Sequence, residues 1–174
     1  MISRPEKTEY ADFYANYVSL VPDGSVEEFL LTQWEELVAF LQTISEDDAS
    51  KPYAPGKWSI KQVLGHLCDT ERVMSYRMMR FARGDKKELH GFEQDDYVAA
   101  GDFNSRVRHD LMVEFKNIRG ATIALVGSIG PETEGRTGTA NGNPVSVRAL
   151  AYIIAGHAQR HLTLLKEARG TNSK

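Results

Sequence analysis

The stretch Ala151–Gly170, AYIIAGHAQRHLTLLKEARG, reads as an apolar helix whose buried face is broken by two histidines. Val147, Leu150, Ile154, Leu164, Leu165 and Ala168 recur at helical spacing, and His157 and His161 fall in the same stripe. The spacing predicts a helix opening after Pro144, capped by Ser146, with Val145 and Leu150 as a hydrophobic staple. Lys166 and Arg169 suit its C-terminus ahead of Gly170. Side chains four residues apart on a helix have Cβ atoms about 6 Å apart, so both imidazoles can turn toward one ion. The alternative is that each hydrogen-bonds a core carboxylate or a backbone carbonyl, since burying an unpartnered imidazole costs a few kcal/mol, about 1–3. Ala158 stands where an H-E-x-x-H motif would have its glutamate, so this helix brings no general base of its own.

Three further segments carry the same period. Ser25 and Glu28 form a capping box before Val26, Phe29, Leu30, Trp34, Leu37, Val38, Leu41 and Ile44. Ser59 and Gln62 form another, stapled by Trp58 and Val63, before the stripe Ile60, Leu64, Leu67, Met74, Met78 and Phe81, which stops near Gly84. A third helix spans about Asn104 to Ser128, with Val107, Leu111, Phe115, Ile118, Thr122 and Leu125 on one face. Tyr10, Phe13, Tyr14, Tyr17 and Val18 suggest an N-terminal helical segment packing across these. Residues 85–102 form a long connection with a short helical turn, of the kind that often lies over a site. "GPETEGRTGTANGNPV" is a second irregular stretch with room for a short extended pair. The expected fold is all-α, an antiparallel four-helix bundle with an N-terminal helical segment and two long loops, residues 1–174 forming one domain.

At 174 residues, 41% apolar and 26% charged, the composition is that of a globular protein with a sizeable core. Net charge is −3 with no basic cluster, which argues against a nucleic-acid partner. The longest apolar run, ALAYIIAG, falls far short of a bilayer span, so no membrane partner is expected. The N-terminus lacks a secretory core, and one cysteine, Cys68, excludes an internal disulfide. A cytoplasmic location follows as the expectation, as monomer or homodimer.

A third ligand must come from another helix. His66 is the best candidate, at the flank of the second stripe beside Val63, Thr70 and Val73. His90 and His109 sit in polar surroundings and read as surface residues. Three neutral imidazoles suit Zn²⁺, Ni²⁺ or Fe²⁺ and leave coordination positions open. Glu71 lies on the apolar stripe, where the expected role is an ion pair with an arginine such as Arg148 or Arg77, the alternative being to orient a ligand histidine or a bound water. Asp69 either holds His66 or faces solvent, and Cys68 reads as a small core residue.

YAPGKWSIKQVLGHLCDTERVMSYRMMRFARGD, GFEQDDYV and VSVRALAYIIAGHAQRHLTLLKE together resemble the DinB-like superfamily over nearly the whole chain. The resemblance implies a four-helix bundle with a three-histidine divalent-metal site. One histidine lies in the "GHL" of the second helix, matching His66, and two lie in an H-x-x-x-H of the last, matching His157 and His161. Many relatives have a histidine where Arg160 stands, so Arg160 alters the charge beside the site. The resemblance further implies a small-molecule substrate. It points first to metal-dependent S-transfer with a low-molecular-weight thiol such as bacillithiol or mycothiol. Metal-dependent hydrolysis and a non-catalytic metal-binding stress protein are the alternatives.

Overall fold

The structure, a computed structural model, describes residues 1–172. Two 3₁₀ turns lead into a short α1 (Ala15–Ser19), and α2 (Val26–Gln42) and the one-turn α3 (Glu46–Ala49) follow. Next come α4 (Ile60–Ala82), α5 (Gln94–Ala100), α6 (Arg108–Gly127), the one-turn α7 (Pro131–Glu134), β1 (Thr137–Ala140), β2 (Asn143–Ser146) and α8 (Val147–Asn172). The four long helices are those the periodicity predicts.

Their ends are chemically marked. Ser59 Oγ accepts from the Gln62 amide (3.1 Å) while the Ser59 amide donates to Gln62 Oε1 (2.9 Å), a complete capping box. At α2 only half of the expected box forms, Ser25 Oγ accepting from the Glu28 amide at 3.2 Å. Ser146 Oγ caps α8 by accepting from the Ala149 amide (3.0 Å). Gly84, at φ +81°, takes the left-handed position after α4 that a side chain would disfavour. The third helix begins later than its apolar pattern suggests. Phe103–Ser105 is a separate 3₁₀ turn, Arg106 is extended, and α6 starts at Arg108. Val107, counted in that stripe, is 54% exposed.

The helices close a ring in the order α2, α6, α4, α8. Cross-helix bonds give their directions. Gln33 meets Ala155 and Gln159, Glu36 meets Lys166, and the Thr43 carbonyl meets Arg169, so α2 and α8 run the same way. Ser59 meets Asn104, Arg72 meets Glu114 and Glu71 meets Arg119, so α4 and α6 also run together. Arg108 reaches the Leu41 carbonyl and Arg119 the Leu30 carbonyl, which sets α2 against α6. The chain order is therefore up, down, down, up. The bundle has the four expected helices, but of the neighbouring pairs only α2 against α6 and α4 against α8 are antiparallel, whereas the fold expected from the sequence is antiparallel throughout. Consecutive parallel helices need a return crossover, and this accounts for the long connection between α4 and α6. The crossover is pinned at one end by Leu89, which exchanges backbone bonds with Thr139 and Asn141 of the hairpin, and at the other by Asn104 against Ser59. The hairpin fulfils the extended pair, with Asn141 and Gly142 both at positive φ in its two-residue turn.

Two glycines admit close neighbours. A Cβ on Gly156 would lie 1.9 Å from the Tyr17 carbonyl oxygen, so α1 crosses α8 against bare backbone there. A Cβ on Gly65 would lie 2.3 Å from the Phe103 ring, which the crossover seats on α4. Gly156→Ala is expected to destabilise the protein by about 1–3 kcal/mol through the forced displacement of α1. Gly120→Ala, on the exposed side of α6 where a Cβ meets nothing within 4 Å, is expected to stabilise by up to about 1 kcal/mol. Urea denaturation of the two variants checks the opposite signs.

Candidate metal centre

His66 comes from α4, and His157 and His161 come from successive turns of α8 across the same interface. His66 Nε2 lies 2.9 Å from His157 Nε2, and potential ligand atoms of all three residues lie within 4.8 Å of one another. The ring centroids form a near-equilateral triangle with sides of 4.8, 4.8 and 4.7 Å. The α8 register puts the pair on the buried face, and the antiparallel packing of α4 brings His66 level with both. Two nitrogens bound to one ion at about 2.1 Å stand roughly 3.0–3.4 Å apart in octahedral or tetrahedral geometry. The His66–His157 spacing is close to that range, and His161, half-buried, closes the set.

The surroundings favour neutral rings. His66 and His157 are buried. Burial, with the neighbouring His161 adding to it, brings the His66 imidazole down to about 3. Burial and then the charge of Arg160 bring His161 down to about 4. His157 is held well below its ordinary value by burial, followed by His161, His66 and Arg119. The lone-pair form that a metal requires is thus the form present at neutral pH. Thr70, one turn beyond His66, places Oγ1 3.3 Å from His66 Nδ1. With the proton on Nδ1 donated to that oxygen, the Nε2 lone pair points at the cluster. The Trp58 ring packs 4.9 Å from His66, and Tyr17 meets His157 edge-on at 5.5 Å.

The model of the DinB superfamily matches residues 30–165, a span that includes all three histidines. The chain belongs to the DinB superfamily. It is 24% identical over 134 residues to an Oceanobacillus iheyensis protein named "Putative metal-dependent hydrolase OB0413", covering 76% of this chain and 77% of that one. Its backbone is similar to that of YfiT from Bacillus subtilis, described as "a probable metal-dependent hydrolase with an unusual four-helix bundle topology". The TM-score is 0.74 over 98% of this chain and 94% of that one, at 12% identity, a likeness of fold.

Around this cluster the other candidates sort by their partners. Glu71 is in a buried ion pair, as expected, but its partner is Arg119 and neither Arg148 nor Arg77. Arg119 donates from Nε and Nη2 to the carboxylate at 2.9 and 2.7 Å. Arg148 instead binds Glu9, and Arg77 donates to the His90 carbonyl. Arg119 also donates to Gln33 Oε1 (2.8 Å), and Gln33 Nε2 donates to the Ala155 carbonyl (2.9 Å) and Gln159 (3.0 Å). One polar network therefore touches all four long helices. Sequence reasoning missed Arg119 because its face was drawn through Ile118 and Leu125; the buried positions are Arg119 and Val126, one residue further round. A cation four residues after Phe115, opposite an acid on another apolar stripe, was the available signal. Asp69 pairs with Arg72 at 3.6 Å, and Cys68 is a buried core residue whose thiol is pushed far up by that burial. His90 and His109 are exposed, as expected.

Glu71→Gln leaves the Arg119 guanidinium buried without its counter-charge and is expected to cost about 3–5 kcal/mol. The double variant Glu71→Leu/Arg119→Met is expected to lose far less than the sum of the single changes, as a double-mutant cycle by urea denaturation reads directly.

Proposed function

We propose that this DinB-superfamily protein holds one divalent metal ion on His66, His157 and His161 and uses it in S-transfer from a low-molecular-weight thiol to a small electrophile. The observation that carries the reading is the convergence of three neutral imidazoles on one point of the α4–α8 interface. Bound there, Zn²⁺, Ni²⁺ or Fe²⁺ supplies Lewis acidity that lowers the pKa of a thiol or a water.

The protein's own residues favour the thiol. Thr70 orients His66, and Tyr17 and Trp58 wall the cluster with apolar surface. Beyond His66 on α4, Glu71 is engaged by Arg119, whereas Asp69 lies 3.6 Å from Arg72 and is held above the ordinary carboxylate range by burial. A metal ion ionises a bound thiol or a bound water alike, so what favours the thiol is the cation that Arg160 offers. Arg160, exposed beside His161 and without an ion-pair partner among the described residues, offers a cation to a carboxylate-bearing thiol. The name of the Oceanobacillus relative, a putative metal-dependent hydrolase, favours a second reading, hydrolysis at the same centre.

Metal analysis of untagged protein is expected to give one equivalent of Zn²⁺, Ni²⁺ or Fe²⁺, lost in His161→Ala. Thr70→Val is expected to weaken metal affinity about tenfold while leaving the stoichiometry unchanged, as competition with a chromophoric chelator measures. Loaded protein is then assayed with bacillithiol or mycothiol and a bimane electrophile, and separately with activated esters. Thiol-dependent turnover supports transfer, ester cleavage without thiol supports hydrolysis, and bound metal with neither leaves a non-catalytic protein. Failure to bind any of these metals removes all three readings.

A further inference from the structure

The crossover between α4 and α6 does not lie flat on the bundle. Between it and the outer side of α4 is a cavity of about 450 Å³, walled by Val73, Arg77, Leu89, His90, Phe92 and Tyr97. That volume is in the range of small-molecule sites.

Arg77 makes this cavity chemically specific. Three cationic side chains are buried among the described residues: Lys61, Arg77 and Arg119. Lys61 is neutralised by Glu46 at 2.6 Å and Arg119 by Glu71 at 2.7 Å. Arg77, only 3% exposed, has no carboxylate partner among the described residues. Its guanidinium donates to the His90 carbonyl (2.7 Å) and weakly to Met74 Sδ (3.6 Å), with the Tyr14 phenol nearby. These acceptors and the phenol are neutral, and a guanidinium has five N–H donors. Burial of a charge without a counter-charge is costly unless an anion completes it, and the planar fork of arginine fits a carboxylate.

The other charges at the cavity do not supply that anion. Arg72 is directed to Asp69 and Glu114. Glu88, the acid on the cavity wall, is exposed and forms no ion pair with Arg77. The remaining wall is apolar or aromatic, with the Phe92 and Tyr97 rings 5.3 Å apart. We propose that this cavity binds a small organic carboxylate, its anionic group on the Arg77 guanidinium and its apolar part against Val73, Leu89 and the Phe92–Tyr97 pair. Arg77 is eleven residues beyond His66 on α4, about 16 Å along the helix, so the site is distinct from the histidine cluster.

Calorimetric titration of the full chain with 2-naphthoate tests the proposal, with the uncharged isostere 2-naphthamide as control. Saturable 1:1 binding is expected, at least tenfold weaker for the amide, with amide NMR shifts concentrated in residues 72–77 and 88–97. Arg77→Met is expected to weaken 2-naphthoate binding at least tenfold, and His161→Ala to leave it unchanged. Val73→Phe, which fills the cavity and leaves Arg77 in place, is expected to block binding and decides the matter should Arg77→Met fail to fold. No saturation at millimolar 2-naphthoate, equal binding of the amide, or wild-type affinity in Val73→Phe would overturn it.

Discussion

The buried pair between Glu71 and Arg119 is the constraint on which the arrangement of helices rests. Two charges removed from water contribute little net stability, yet they tolerate very little misalignment, because either one left alone is far more costly than the pair. Their contact fixes how α4 and α6 are rotated about their own axes. Gln33 carries the constraint onward, accepting from Arg119 and donating to the Ala155 carbonyl and to Gln159. Those two α8 residues bracket His157. The network therefore sets the axial position of α8 against α2, and with it the height at which His157 and His161 face His66.

The up-down-down-up order has a consequence for where ligands can reach. An up-down bundle joins its helices by short turns and leaves their outer faces bare. Here the chain must travel back along α4 before starting α6, and it does so as a partly helical strap rather than a bare loop. Phe103 seats one end of the strap on Gly65, Val98 of α5 is buried against the bundle, and Leu89 ties the other end to the hairpin. A strap anchored at intervals leaves space between its anchors, and the Arg77 cavity is such a space.

Much of this was legible in the chain because helix ends and buried faces are local properties. Ser59, Gln62, Ser146 and Gly84 each mark a terminus by chemistry confined to a few residues, and the structure has them in those roles. His66, His157 and His161 were visible as polar residues in or beside apolar stripes. What periodicity cannot give is the partner across the interface. Glu71 announced a buried counter-charge, but choosing Arg119 over Arg148 or Arg77 requires knowing that α4 and α6 run side by side in parallel. The same ignorance shifted the α6 face by one residue: Ile118 is the better apolar residue, yet Arg119 is the one turned inward, because Glu71 is there to meet it. Helix direction is a property of the long connections, and their composition does not encode it.

Two of the three histidines directly follow a glycine, Gly65–His66 and Gly156–His157. Successive residues on a helix point about 100° apart, so each glycine faces away from the cluster while its histidine faces in. At both places the bare Cα lets another element approach more closely than any side chain would allow: the Phe103 ring at Gly65, the α1 backbone at Gly156. The second approach also delivers Tyr17 against the His157 ring. Close cover of this kind excludes water from the imidazoles, and exclusion of water is the main cause holding both in their neutral form. Packing permitted by a missing side chain and the protonation state that a metal requires are thus two consequences of the same adjacency in sequence.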